Sequence, residues 1–299
     1  MPTAPQIERP ARRLGHPILR LLRPRQWVKN LFVAGPWIFA PAVHTWSGLT
    51  LTAAAIALFC ATASAVYIIN DLIDAPLDRQ HPEKRRTRPL AAGEVSPATA
   101  RTMAALLAGV ALAGGFALNT RVGAVVAGYM ALNLAYSLDL KHRPIVDLIS
   151  ISTGFVLRLI AGAQAIGVPI STWAVLCVGT LSLYLAANKR LQEMISHPGG
   201  ETRGVLAVYT VPLLRKYVDL ASNLTLLAYA LFALTARPAL AWSLPLVVVG
   251  IMRYAFLVER TDQGESPTDV VWSDGPLAAL IVVWAGLCFY LVAHGGIDV

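Results

Sequence analysis

The sequence predicts an all-α polytopic membrane protein, and three observations carry that expectation. Of its 299 residues, 56% are hydrophobic and 14% charged, against roughly 45–50% apolar and about 25% charged in soluble domains, and the mean hydropathy is +0.58. Apolar runs near the ~20 residues that cross a ~30 Å hydrocarbon slab recur along most of the chain. Lysine and arginine gather in alternate connections between those runs, the pattern that keeps basic loops in the cytoplasm. The net charge of +8 is therefore read as membrane topology. The lipid bilayer is an expected partner and no nucleic acid is expected.

In chain order, residues 1–24 form a basic segment whose stretch 14–24 (LGHPILRLLRP) is either a short interfacial amphipathic helix or a basic tail. Residues 1–15 are Pro- and Arg-rich and show no cleavable signal pattern. Nine transmembrane helices are expected near 31–46, 49–70, 99–118, 121–138, 146–166, 171–188, 217–235, 239–258 and 276–294, as one domain over 1–299. Pro36 and Pro41 interrupt the first run, Pro169 ends the fifth and Pro245 falls inside the eighth. An odd number of spans puts the N-terminus in the cytoplasm and the tail after His294 on the other side of the cell (inner) membrane. Three loops, about 71–98, 189–216 and 259–275, are long and lie on the basic side, so polar chemistry is expected on the cytoplasmic face. Cys60, Cys177 and Cys288 each stand alone in an apolar run and read as buried thiols.

The strongest motif is NDLIDAPLD, residues 70–78. Asn70, Asp74 and Asp78 recur every fourth residue, so a helix continued past the second apolar run gathers them on one face beside Asp71. Carboxylates that close repel unless a cation lies among them. All-oxygen ligands with no His or Cys point to Mg²⁺, which binds through few carboxylates and completes its shell from water and phosphate. Pro76 is the one residue of the motif able to break the helix. Next comes RQHPEKRRTRPLAAGEVS, residues 79–96, where Lys84, Arg85, Arg86 and Arg88 stand against the acidic cluster. Cations beside metal-binding carboxylates suit a metal–phosphate complex; ordinary positive-inside anchoring is the plainer reading of the same residues.

A second polar group combines YSLDLKH (136–142), Asp147 at the start of the fifth helix and GFVLR (154–158) inside it. Asp147 is expected at a depth like that of Asp74, where it completes the metal site from across the bundle. Arg158, an intramembrane arginine, is expected to face a polar cavity or an acidic partner. NKRLQE (188–193) closes the sixth helix, with Glu193 set to orient Lys189 or Arg190, and PRQWVKN (24–30) enters the first, with Lys29 reaching the same cavity and Trp27 as an interfacial anchor. His81, His142 and His197 make no ligand set.

On these residues the chain resembles the UbiA-type intramembrane prenyltransferase superfamily, marked by an NDxxDxxxD motif after the second helix, over nearly its full length. The resemblance implies nine helices around a central cavity open to the cytoplasmic side. Within the superfamily, PRQWVKN, YSLDLKH with Asp147, GFVLR and Lys189–Arg190 with Glu193 are similar to the decaprenyl-phosphate phosphoribosyltransferase branch. That likeness implies a Mg²⁺-dependent transfer of 5-phosphoribose from phosphoribosyl pyrophosphate to a polyprenyl phosphate lipid, making an arabinan precursor. The implied metal ligands are Asn70, Asp71, Asp74, Asp78 and Asp147. Asp74, Asp78, Lys141 and Arg158 are the implied catalytic groups. Lys29, Asn30, Lys84, Arg85, Arg88, Tyr136, Lys141, Lys189, Arg190 and Glu193 are the implied substrate contacts, and any assembly is expected to be a homo-oligomer. The second DxxxD of ordinary prenyltransferases is not visible. Two other readings are an ordinary prenyltransferase acting on an aromatic acceptor and a transporter or lipid-binding protein.

Overall fold

The structure, a computed structural model, describes residues 16–196, 204–236, 238–260 and 267–294. Residues 1–15 of the basic N-terminal segment, His197 with the rest of 197–203, residues 261–266 and the tail 295–299 lie outside the described residues. Among the described residues there is no strand. The helices are α1 (Pro17–Leu22), α2 (Gly35–Phe39), α3 (Trp46–Asp78), α4 (Pro82–Thr87), α5 (Pro97–Leu118) and α6 (Thr120–Leu138), followed by α7 (Val146–Ile166), α8 (Thr172–Ser196), α9 (Val211–Ala236), α10 (Leu244–Arg260), α11 (Pro267–Ser273) and α12 (Gly275–His294). Among the described residues six segments are long and apolar enough to cross a membrane: Trp46–Asp78, Pro97–Leu118, Val146–Ile166, Val211–Thr235, Pro238–Arg260 and Gly275–His294. Their outer faces carry exposed Leu106, Val110 and Phe116 on α5 and Val282 and Val283 on α12, as a lipid-facing surface requires.

Of the nine expected spans, α6 and α8 form but are not among the six, the eighth begins as a 3-10 segment, Pro238–Ser243, and the first differs most. In place of a run over 31–46, the chain forms a 3-10 segment Pro24–Ala34, then α2, then a 3-10 turn Pro41–Val43. Pro36 and Pro41 each remove an N–H donor and crowd the preceding turn, so no long α-helix propagates. Within the stretch 14–24 a short helix forms, α1, which buries Leu21 against Ile68, Leu90 and Val95.

Helix α3 is continuous over 33 residues, about 50 Å at 1.5 Å per residue, and outruns the hydrocarbon slab. Thr45 caps its start, its hydroxyl accepting from the Gly48 N–H at 3.1 Å. Pro76 does not break it, because a proline three residues from the C-terminus costs one hydrogen bond in a turn that is already fraying. Similar caps start α5 at Ser96 (3.0 Å to the Thr99 N–H) and α6 at Asn119 (2.9 Å to the Val122 N–H). Helix α8 runs two turns beyond its expected end at 188, which places Lys189, Arg190 and Glu193 on a rigid helix.

The core between α3, α6 and α7 buries Val33, Phe59, Val126, Tyr129 and Ala161. Helices in lipid gain little from apolar burial against one another and associate through close packing of small residues. Gly162 on α7 is such a contact: a Cβ there would overlap the Val33 carbonyl oxygen of the 3-10 segment, and a Cβ at Gly35 would come within 3.1 Å of Leu159. That approach brings Lys29 and Asn30 against the face of α7 carrying Arg158. A cavity of about 1840 Å³ opens between these elements, running from Asn70, Asp74 and Lys141 at one end to Phe39, Tyr229 and Trp284 at the other.

Gly162→Val is expected to lower the thermal stability of the detergent-solubilised protein by about 1–3 kcal/mol or more through overpacking. Gly128→Ala on α6, where a Cβ meets open space, is expected to be neutral or to stabilise by roughly 0.5–1 kcal/mol.

Candidate active site

The last two turns of α3 present Asn70, Asp74 and Asp78 to the cavity, with Asp71 buried beside them. Basic groups from four other parts of the chain meet this face. Arg88 Nη1 donates to Asp71 at 3.1 Å, pairs with Asp78 and lies 3.9 Å from Asp74. Arg23 donates to Asp71 at 2.5 Å, Lys141 to Asp74 at 2.7 Å, and Lys84 stands 3.8 Å from Asp78. Asn70 accepts from the Ser137 hydroxyl at 3.1 Å and donates to Asp74 at 2.9 Å, which fixes its amide between α6 and the aspartate. Among the described residues no three His, Cys, Asp or Glu side chains converge as a ready-made metal site. The donor set nevertheless fits a hard cation: it is all oxygen, it is fixed on a helix, and it stands beside lysines and arginines, the side chains that pair with phosphate oxygens.

A second polar centre lies at Arg158, which is 4% exposed in the middle of α7. Its Nε donates to Asn30 Oδ1 at 2.8 Å, Nη1 to the Gly154 carbonyl at 2.9 Å and Nη2 to the Tyr129 hydroxyl at 2.7 Å. The guanidinium also stacks over the Tyr129 and Phe155 rings. All these partners are neutral, so its charge is oriented and not cancelled. Lys29 lines the same cavity. Burial, and then the Arg158 and Arg23 charges, pull its ammonium down from the usual lysine value to about 8.

The third centre is buried where the start of α7 meets the C-terminal end of α8. Arg190, 1% exposed, donates to Asp147 at 2.8 Å, Glu193 at 2.7 Å and the Tyr136 hydroxyl at 2.9 Å. The other Asp147 oxygen accepts from the Tyr209 hydroxyl at 2.9 Å, and that hydroxyl accepts from the Ile145 N–H at 2.6 Å. Ile145 has φ +68°, an unfavourable conformation for a β-branched residue that this bond holds in place. Burial first, and then Asp147, raise the Tyr209 phenol above its usual range, so it stays a donor.

A model described as the UbiA prenyltransferase family matches residues 31–273. The chain belongs to the UbiA prenyltransferase family. Curated relatives include the decaprenyl-phosphate phosphoribosyltransferase of Corynebacterium glutamicum, 35% identical over 95% of this chain and 89% of that protein. The protein of that name from Mycolicibacterium smegmatis is 34% identical over 93% and 92%, and the one from Mycobacterium tuberculosis 33% over 97% and 98%. Among solved structures, a UbiA homolog from Archaeoglobus fulgidus bound to GPP and Mg²⁺ superposes with a TM-score of 0.73 at 21% identity, covering 93% of this chain and all of that one. The shared architecture is thus the UbiA fold.

On that fold, Asn70, Asp74, Asp78, Lys29, Lys84, Arg88, Tyr136, Lys141, Arg158, Lys189 and Arg190 all line one cavity. Four of the expected site residues stand behind the wall: Asn30 holds Arg158, Asp71 joins Arg23 to Arg88, and Asp147 and Glu193 hold Arg190. Arg85 is exposed on α4 and does not line the cavity. Trp27 donates to Ser64 at 3.0 Å and ties the 3-10 segment to α3. Sequence reasoning missed Arg23, Tyr129 and Tyr209; each is far along the chain from the group it serves, and no spacing links the two.

Arg190→Met is expected to destabilise the protein by about 3–5 kcal/mol, because the fully buried Asp147 loses its counter-charge; thermal unfolding in detergent reads this. Lys29 loses its charge as pH rises through about 8, so binding of inorganic pyrophosphate is expected to weaken above that pH. Titrations across pH should show that limb in the native protein and not in Lys29→Arg, whose guanidinium stays charged.

Proposed function

We propose that the chain transfers 5-phosphoribose from phosphoribosyl pyrophosphate to a polyprenyl phosphate and releases pyrophosphate. The observation that carries this reading is that one cavity holds two kinds of cationic centre. Around α3 the basic groups are answered by carboxylates, whereas Arg158 is held by neutral acceptors alone and, on Lys29, the charge of Asp269 acts less than burial and the charges of Arg158 and Arg23. A charge oriented by neutral groups in a lipid-embedded bundle calls for an anionic ligand. A donor with a pyrophosphate and a 5-phosphate, meeting a lipid phosphate, brings more anionic groups than a prenyl diphosphate with a neutral aromatic acceptor. The name shared by the relatives at 33–35% identity supports the same reaction.

In this reading Asn70, Asp74 and Asp78, backed by Asp71, hold Mg²⁺, and Asp147 positions Arg190. The bound ion supplies neutralisation of the charge that builds on departing pyrophosphate. Arg88, Lys84 and Lys141 turn from the carboxylates to the phosphate oxygens. Lys189 and Arg190 flank the opposite wall, and Arg158 with Lys29 holds the remaining anion. The bond from the ribose anomeric carbon to pyrophosphate breaks as a lipid phosphate oxygen bonds to that carbon. The acceptor is already ionised at neutral pH, so positioning does the work and no strong general base is needed. The apolar end of the cavity, with Phe39, Phe232 and Trp284, receives the polyprenyl chain. The site faces the cytoplasm of a cell (inner) membrane protein in which α6, α8 and the broken N-terminal segment join the six apolar spans as nine crossings.

The apolar end also suits a prenyl donor, so donor choice is the test. Purified protein with magnesium, radiolabelled phosphoribosyl pyrophosphate and a polyprenyl phosphate is expected to move label into lipid and release pyrophosphate, with Asp74→Asn at least about 100-fold slower. Prenylation of an aromatic acceptor from geranyl diphosphate, with no pentose transfer, would overturn the proposal.

A further inference from the structure

The acidic end of the cavity and its arginine centre are joined along one face of α3. Cys60, Tyr67 and Asp74 stand seven residues apart on that helix, so they share a face that drifts by only about 20° per step and are spaced about 10.5 Å apart along the axis. Asp74 belongs to the acidic end. The Cys60 thiol accepts from Asn30 Nδ2 at 3.2 Å, and Asn30 Oδ1 accepts from Arg158 at 2.8 Å, so Cys60 marks the level of the arginine centre. Tyr67 stands midway between the two, half-buried, and lines the cavity. The Tyr129 hydroxyl, which accepts from Arg158 Nη2 at 2.7 Å, lies within electrostatic reach of the Tyr67 phenol.

Ring and hydroxyl are used differently. The Arg23 guanidinium lies over the Tyr67 ring, 5.3 Å from its centroid, a contact that a phenylalanine would keep. The hydroxyl makes no hydrogen bond among the described residues and is not among their buried polar atoms, so a ligand in the cavity can reach it. Any ligand that extends from Asn70 and Asp74 to Arg158 passes beside it. In the phosphoribosyl reading the group at that level is the pentose, whichever anion Arg158 and Lys29 hold: the 5-phosphate hangs from the far side of the donor's sugar, and an incoming lipid phosphate attacks that same sugar. A neutral phenol between two charged centres matches this neutral part of the ligand. The pentose offers oxygens there, whereas a prenyl diphosphate offers carbon, which returns no hydrogen bond for the water the phenol gives up.

We infer that Tyr67 is a specificity-determining residue whose hydroxyl hydrogen-bonds the pentose being transferred and so favours a sugar donor over a prenyl one, an inference that rests on the phosphoribosyl reading above. The full-length protein in detergent tests it. Native and Tyr67→Phe proteins are titrated with magnesium plus inorganic pyrophosphate, which lacks the pentose, with magnesium plus phosphoribosyl pyrophosphate, and with a polyprenyl phosphate; unliganded melting temperatures are measured alongside. The expected result is an unchanged melting temperature, since the hydroxyl has no protein partner to lose and the ring keeps Arg23, with unchanged affinity for pyrophosphate and for polyprenyl phosphate. The ratio of phosphoribosyl pyrophosphate affinity to pyrophosphate affinity should fall about 3- to 10-fold, the effect of one neutral hydrogen bond. An unchanged ratio overturns the inference. So does an equal loss for pyrophosphate, which would put the hydroxyl on the leaving group, a loss confined to polyprenyl phosphate, or a lowered melting temperature. A native protein that binds pyrophosphate but not phosphoribosyl pyrophosphate overturns the phosphoribosyl reading itself, which keeps the two failures distinguishable.

Discussion

The neutralisation of three aspartates at the end of α3 is the constraint from which the site is organised. Asp71, Asp74 and Asp78 are close enough to repel one another strongly at the edge of a low-dielectric bundle. Arg23 after α1, Lys84 on α4, Arg88 after it and Lys141 between α6 and α7 all converge on them. The interaction therefore ties four separate stretches of chain to one helix end. It also gathers four cations beside an all-oxygen donor set.

Two buried arginines show how differently one residue type is used. Arg190 is answered by two carboxylates and two tyrosines act on the same network, which cross-links α6, α7, α8 and the residues before α9. Its role is to hold the wall of the cavity, and Asp147 belongs to that role. Arg158 receives only neutral acceptors and aromatic faces, so its field reaches into the cavity. In a medium that penalises uncompensated charge, the first arrangement gives rigidity and the second gives affinity for an anion.

The cavity joins two kinds of chemistry because the bundle joins two solvents. Its polar end is built by helix termini that outrun the apolar slab, where charged side chains pair with one another. Its other end is closed by Phe39, Phe232, Tyr229 and Trp284, which suit an isoprenoid chain.

The sequence by itself determined the all-helical membrane fold, most helix limits and the acidic face at 70–78, because apolar length and a four-residue period are local properties of the chain. Local rules also foretold the interruptions at Pro36 and Pro41, though not that they would dissolve the first helix into 3-10 turns. Only the tertiary structure decided which charges cancel and which remain available. Asp147 pairs with Arg190 across 43 residues, and Arg158 is held by Asn30 and Tyr129 across 128 and 29. Such pairings depend on how whole helices are juxtaposed, with Gly162 setting one of the closest approaches, and no periodicity within a single segment encodes them.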